Sequence, residues 1–164
     1  TVFIVGDRTY KNYKQSDGSY KNEPIPVYGG SIGSIGCALT SVSVIATGYG
    51  IDMSPHDVNQ YYKDNGIGAN HEAGLSKIIG KNCYWKRGNV KQTVIDQLKE
   101  GKPCMIHSSS ISSAGHFFCI LAISEDGTQV YVSDVGGYYA TSGRNGWKPI
   151  SYLDILDRCM IIED

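Results

Sequence analysis

The chain predicts an α+β fold in which N-terminal helices pack on a C-terminal antiparallel sheet. Three observations carry that expectation. Between residues 37 and 100 apolar residues recur at helical spacing; from Pro103 onward the period shortens to that of strands; and Ser124-Glu125-Asp126-Gly127 joins two apolar runs as a hairpin does. Helices first and strands later, without β–α alternation, is the pattern of helices laid on one antiparallel sheet. At 164 residues, with no repeat, linker or low-complexity tract, the chain is expected to form a single domain over residues 1–164 that buries an ordinary core without metals or disulfides.

Taken in order, Val2-Phe3-Ile4-Val5 already reads as structure, and Thr1 in place of an initiator methionine points to a processed protein or an excised domain. Residues 10–36 lack periodicity and carry Asp17-Gly18 and Pro24-Ile25-Pro26, the mark of a long irregular surface loop. From Cys37 the residues Leu39, Val42, Ile45 and Ala46 recur at helical spacing until Gly48 and Gly50, where a left-handed cap is expected. Ser54-Pro55-His56-Asp57 opens a second helix with a capping serine, proline at the first position and an acid two residues later; it runs to about Asn65 and ends at Gly66. A short helix over 72–79 stops at Gly80. Asn89-Val90-Lys91-Gln92 has the form of a capping box and opens a helix over 90–100. Strands follow at 104–107, 117–123 and 129–135, then a helical turn or two at 151–156 and a closing strand at 159–162.

Composition narrows the function. A formal net charge of −1 and lysines scattered as on solvated faces argue against a surface held to nucleic acid or anionic membrane by bulk charge. No apolar run is long enough to span a membrane. Five cysteines with no C-x-x-C pair indicate neither a disulfide framework nor a zinc site, so no cofactor or metal is expected.

One of those cysteines stands apart. Gly29-Gly30-Ser31-Ile32-Gly33-Ser34-Ile35-Gly36 places Cys37 where a glycine-rich loop turns into a helix, and the free N–H groups and dipole of a helix start favour the thiolate, the nucleophilic form. Most single cysteines are small core residues, but a core residue needs no such loop before it.

A nucleophilic thiol needs a base and a group that orients the base. Of four histidines, His56 and His71 read as solvated polar residues. His107 ends a strand beside serines and stays open. His116 is the strongest candidate, because it begins the apolar run Phe117-Phe118-Cys119-Ile120-Leu121. If the hairpin loop is Glu125-Asp126-Gly127, Ser124 faces Thr128 and Asp134 falls opposite Phe118, so His116 and Asp134 become diagonal neighbours on one face; a one-residue slip would break that relation. A tetrahedral oxyanion also needs donors. The N–H of Cys37 is one, and Gln15 in the preceding loop is a candidate for the other. Tyr28, Tyr138, Tyr139 and Trp147 are candidate walls of a cleft bounded by residues 108–115 and 136–146.

Taken together, Gln15, the stretch from Ile32 to Ser41 around Gly36-Cys37, Ser54-Pro55 followed by Asp57-Val58, Gly115-His116-Phe117 and Val130-Tyr131-Val132-Ser133-Asp134 resemble the papain-like cysteine peptidases of the bacteriocin-leader-peptidase-like (double-glycine peptidase-like) group. The resemblance spans nearly the whole chain. It implies a papain-like fold with Cys37 as nucleophile, His116 as general base and acid, Asp134 as orienter and Gln15 as oxyanion donor. Two departures stand out: Ala38-Leu39 follows the cysteine where many members have glycine and proline, and Val135 follows Asp134 where many have proline.

The expected activity is hydrolysis of an amide bond through a thioester, on a bacterial cell-wall peptide or a secreted peptide. Alternatives are a peptidoglycan amidase or acyl transferase on the same fold, or a binding module without turnover. The expected partner is a peptide or peptidoglycan substrate, with no nucleic acid and no membrane insertion, and with further domains attached in a longer protein. The location implied by the resemblance is secreted or cell-wall associated, in a bacterium or phage.

Overall fold

The computed structural model describes residues 2–136 and 145–164. Its centre is a sheet of six antiparallel strands. The chain begins with a two-stranded ribbon, β1 (Val2–Val5) and β2 (Arg8–Lys11), and the stretch read as a loop also holds a second minimal ribbon, β3 (Pro24–Ile25) with β4 (Gly30–Ser31), and a four-residue helix α1 (Ile32–Ile35). These are too short for periodicity to show. Helices α2 (Cys37–Gly48), α3 (Pro55–Asn65) and α4 (His71–Ile79) follow, then β5 (Asn82–Lys86), α5 (Val90–Lys99), β6 (Cys104–Ser108), β7 (His116–Ile123), β8 (Gln129–Ser133), β9 (Gly146–Pro149), a 3-10 turn (Ile150–Ile155) and β10 (Arg158–Glu163). The sheet runs β5-β10-β6-β7-β8-β9. Strands β5 and β9 are additions to the sequence reading; both lie at sheet edges, and their half-exposed faces weaken the apolar signal.

The helix signals mostly act as written. Ser54 caps α3 through a reciprocal box with Asp57, and Gly66 and Gly80 close α3 and α4 in the left-handed region. Two signals act otherwise. Asn89 has φ of 50° and makes no side-chain cap, so its capping-box pattern is not used. Helix α2 ends at Tyr49 with ordinary negative φ, and Gly50, at φ of 80°, takes the left-handed bend one residue later.

Both faces of the sheet are covered. On one lie α2, α3, α4 and the first ribbon, joined to Met105, Cys119 and Leu121; on the other lie α5 and the 3-10 turn, packed on Cys104, Ile106, Phe118, Ile120, Val130 and Val132. Helices α2 to α4 thus share one face of the sheet and α5 takes the other. Helix α2 is the innermost element: Ala38 to Thr47 are all buried.

The hairpin of β7 and β8 differs from the predicted register at one end and agrees with it at the other. Ser124 accepts nothing from Thr128; its N–H bonds Gln129 and Ile123 pairs Val130, a slip of one residue. A bulge at Leu121 then absorbs the slip, sending Leu121 and Ala122 to the same side of the sheet, so that Ile120 pairs Val132 and Cys119 pairs Ser133. Continued by one step, that register sets Phe118 opposite Asp134.

Gly48 closes α2 against Tyr10, which is fully buried and stacked on Phe3. A Cβ at position 48 would run into the Tyr10 ring, which has no space to withdraw. Gly48→Ala is therefore expected to destabilise the fold by about 1–3 kcal/mol despite alanine's higher helix propensity, read as a lower urea midpoint at unchanged slope.

Candidate active site

Cys37 is the first residue of α2, and Gly36 serves both as the end of α1 and as the start of α2. The two helices meet there so tightly that a Cβ on Gly36 would collide with the backbone of Ile32. Of the five thiols, Cys37 alone is not buried. Its N–H is among the four at a helix start that have no intrahelical partner.

His116 opens β7 and is 4% exposed. Its Nε2 lies 2.7 Å from Asp134 Oδ1, and its ring stacks on Phe118, centroids 5.7 Å apart. The ring is also in side-chain hydrogen-bond contact with Cys37, so Nδ1 is the nitrogen left for the sulfur. Burial disfavours the imidazolium, but the hydrogen bonds to Asp134 and Cys37 and their charges outweigh it and hold His116 at about 9.

Asp134, fully buried, is held from three sides. Its Oδ1 also accepts from Gly136 N–H, its own N–H donates to Asn145 Oδ1 at 2.8 Å, and its carbonyl accepts from Lys14 Nζ at 2.6 Å. Burial pushes Lys14 down and the charge of Asp134 opposes that. Next along, Gln15 N–H donates to Val135 carbonyl at 2.9 Å, and Gln15 Nε2 donates one proton to Gly33 carbonyl at 3.0 Å. The second amide proton remains for the cleft. Cys37, His116 and Gln15 line one cavity of about 640 Å³ with Ile25, Tyr28 and Phe117.

The four residues singled out from sequence are thus gathered at one end of the sheet. The walls fare unevenly. Tyr28 and the 108–115 loop, through Ser112, Ala114 and Gly115, line the cavity. Trp147 does not; it packs edge-on to Tyr131 beside a separate shallow depression. Tyr138 and Tyr139 lie outside the described residues.

Other histidines find structural partners. His56 is exposed and paired with Glu23 at 2.6 Å. His107 bonds Asp157 through Nδ1 at 2.7 Å, and its ring fills the space that a Cβ on Gly115, at φ of 80°, would need. It thereby fixes the residue before His116. His71 and Lys14, read from sequence as solvated, are not: His71 is 5% exposed and Lys14 is drawn in against Asp134. For His71 the signal was its spacing, three, four and seven residues before Gly74, Leu75 and Ile78, which form the buried face of α4. For Lys14, in a segment without period, there was none. Among the described residues no group of acids, cysteines and histidines is arranged to hold a metal, and no helix is long and apolar enough to cross a membrane.

Comparison with known proteins bears on the family and the fold. The family model described as "Peptidase_C39 like family" matches residues 8–154. No curated protein matches the chain. Among solved structures, UfSP from C. elegans superposes with a TM-score of 0.57 at 16% identity over 96% of this chain; the present chain spans about a third of that protein's length, 33%. A C39-like peptidase from Bacillus anthracis gives 0.60 at 10% identity, covering 100% of this chain and 98% of its own. The peptidase domain of Streptococcus ComA, a bi-functional ABC transporter involved in a quorum-sensing pathway, gives 0.55 at 15% identity over 77% and 89%. These likenesses are of fold.

Because His116 is raised from an ordinary 6.5 to about 9, the folded chain holds its proton more tightly than the unfolded chain. This pairing stabilises the fold fully below pH 6.5, and the contribution is lost as pH rises through about 9. An NMR titration of the imidazole is expected to show a midpoint near 9, falling toward the ordinary value in Asp134→Asn. Gln15→Ala is expected to lower kcat on any cleaved peptide by about 10²–10³ while leaving that titration in place.

Proposed function

Because the chain belongs to the Peptidase_C39 like family, whose members are cysteine peptidases, we propose that it cleaves an amide bond in a bacterial cell-wall peptide by attack of Cys37 sulfur. The observation that carries this reading is the paired contact of His116 with Asp134 on one nitrogen and Cys37 on the other. The Cys37 proton passes to His116, the sulfur adds to the carbonyl carbon, and the oxyanion takes hydrogen bonds from Cys37 N–H and Gln15 Nε2. His116 then gives its proton to the departing amine. A water deprotonated by the same imidazole attacks the thioester, releasing the acid and restoring the thiol.

The cleft that Cys37 lines is bounded by the small residues Gly33, Ala38, Ala114, Gly115 and Gly136 and by Ile25, Tyr28, Ile35 and Phe117, a lining open to a backbone with small side chains. Stem and bridge peptides of bacterial walls are rich in alanine and glycine. This reading places the protein outside the cell or in the wall, with further domains that carry it there. A second reading, cleavage of a peptide destined for export, is favoured by the likeness to the ComA peptidase domain.

Purified peptidoglycan separates the outcomes. New amino termini among the products support the peptidase; freed lactyl-linked peptide points instead to an amidase, and no product with cleavage of a Gly- or Ala-containing export peptide favours the second reading. In every productive case Cys37→Ala is expected to abolish turnover, by about 10⁴-fold or more. Iodoacetamide should modify Cys37 first, since the other four thiols are buried.

A further inference from the structure

On the α2 side of the cleft a second polar chain runs inward from the cavity wall. Tyr28 Oη lies 3.2 Å from His71 Nε2, and His71 Nδ1 lies 3.0 Å from Tyr62 Oη. Tyr28 is half exposed and lines the cavity beside Cys37, whereas His71 and Tyr62 are each 5% exposed.

The protons of this chain can be assigned. Burial, with a lesser push from Arg158, takes His71 down to about 4, so the ring is neutral and has one donor and one acceptor nitrogen. Tyr62 Oη has no hydrogen-bond partner among the described residues other than His71 Nδ1. Were Nδ1 the donor, the Tyr62 hydroxyl proton would be buried without an acceptor, at the full desolvation cost of that group. Tyr62 therefore donates to Nδ1, the ring proton resides on Nε2, and Nε2–H donates to Tyr28 Oη. The Tyr28 hydroxyl proton is left with no inward acceptor. Burial and the charge of Cys37 both push the Tyr28 phenol up, so it keeps that proton at neutral pH.

The geometry points to Tyr28 as a substrate-binding residue whose hydroxyl, oriented by His71 and Tyr62, donates a hydrogen bond to a backbone carbonyl oxygen of the bound peptide. The inference rests on the peptidase reading and adds to it a polar contact on the cavity wall. The tight turn that carries Tyr28, with Tyr28 N–H and Gly29 N–H both bonded to Ile25 carbonyl, holds the ring at the mouth. His71 is a positioning residue in this scheme.

The test uses two alkylating probes on the whole chain. Iodoacetamide reports the reactivity of Cys37 alone; acetyl-Gly-Ala chloromethyl ketone reports that reactivity together with peptide binding. Tyr28→Phe keeps the ring and removes only the hydroxyl. It is expected to slow the peptidyl reagent about tenfold at low concentration and to leave the iodoacetamide rate unchanged, the size expected for one hydrogen bond. An analogue with an alkene in place of the acetyl-glycine amide, which lacks one carbonyl, should lose about as much on the parent chain and little more on Tyr28→Phe. His71→Gln, whose amide can accept from Tyr62 and donate to Tyr28, is expected to retain most of the parent's preference, and His71→Leu to lose it. Equal peptidyl rates in the parent and Tyr28→Phe overturn the proposal, as does a matching loss with iodoacetamide, which would assign Tyr28 to the sulfur. Failure of Cys37 to react faster than the other thiols overturns the peptidase reading instead.

Discussion

Burial of α2 on every side is the constraint from which the rest follows. With Ala38 to Thr47 withdrawn from water, the helix has to be enclosed by β7 and β6 beneath, by β2 along one flank and by α3 and α4 along the other. Three of its hydroxyls are accommodated on backbone carbonyls, Ser41 on Cys37, Thr47 on Val44 and Ser43 on Met53, while that of Thr40 is buried without a partner among the described residues. At its start the first residue, Cys37, emerges into the cavity that His116 also lines. The same enclosure that gives the chain its core thus decides which thiol meets which imidazole.

The fold was legible where one residue type has one local use. Ser54, Pro55 and Asp57 act on neighbouring backbone groups whatever surrounds them, so α3 was placed from sequence to within a residue. Asn89 shows the limit, since asparagine serves equally as a cap and in the left-handed region, and here the second use prevails. Strands β5 and β9 and the ribbon of β3 and β4 escaped because short or half-exposed strands gain their stability from pairing, which no local pattern records. The candidate site was legible in its polar breaks: an imidazole at the head of an apolar strand and a carboxylate at the end of its neighbour both run against the composition around them.

The pairing of His116 with Asp134 was anticipated from a hairpin whose turn was misplaced by one residue. Two departures cancel: the turn is longer by one, and Leu121 leaves the ladder to restore the phase before the strand reaches the site. A bulge is invisible to alternation counting because Leu121 and Ala122 are both apolar and both buried on the same side. The agreement at Asp134 is therefore a property of this bulge, whereas the inward turn of Lys14, in a segment without period, lay beyond what periodicity could convey.

The bond from Gln15 N–H to the carbonyl of Val135 ties the amide side chain and the carboxylate to a single backbone seam. The Val135 side chain is itself fully buried in the core, so the seam is fixed by packing as well as by this bond. A displacement of that seam would therefore carry Gln15 and Asp134 together.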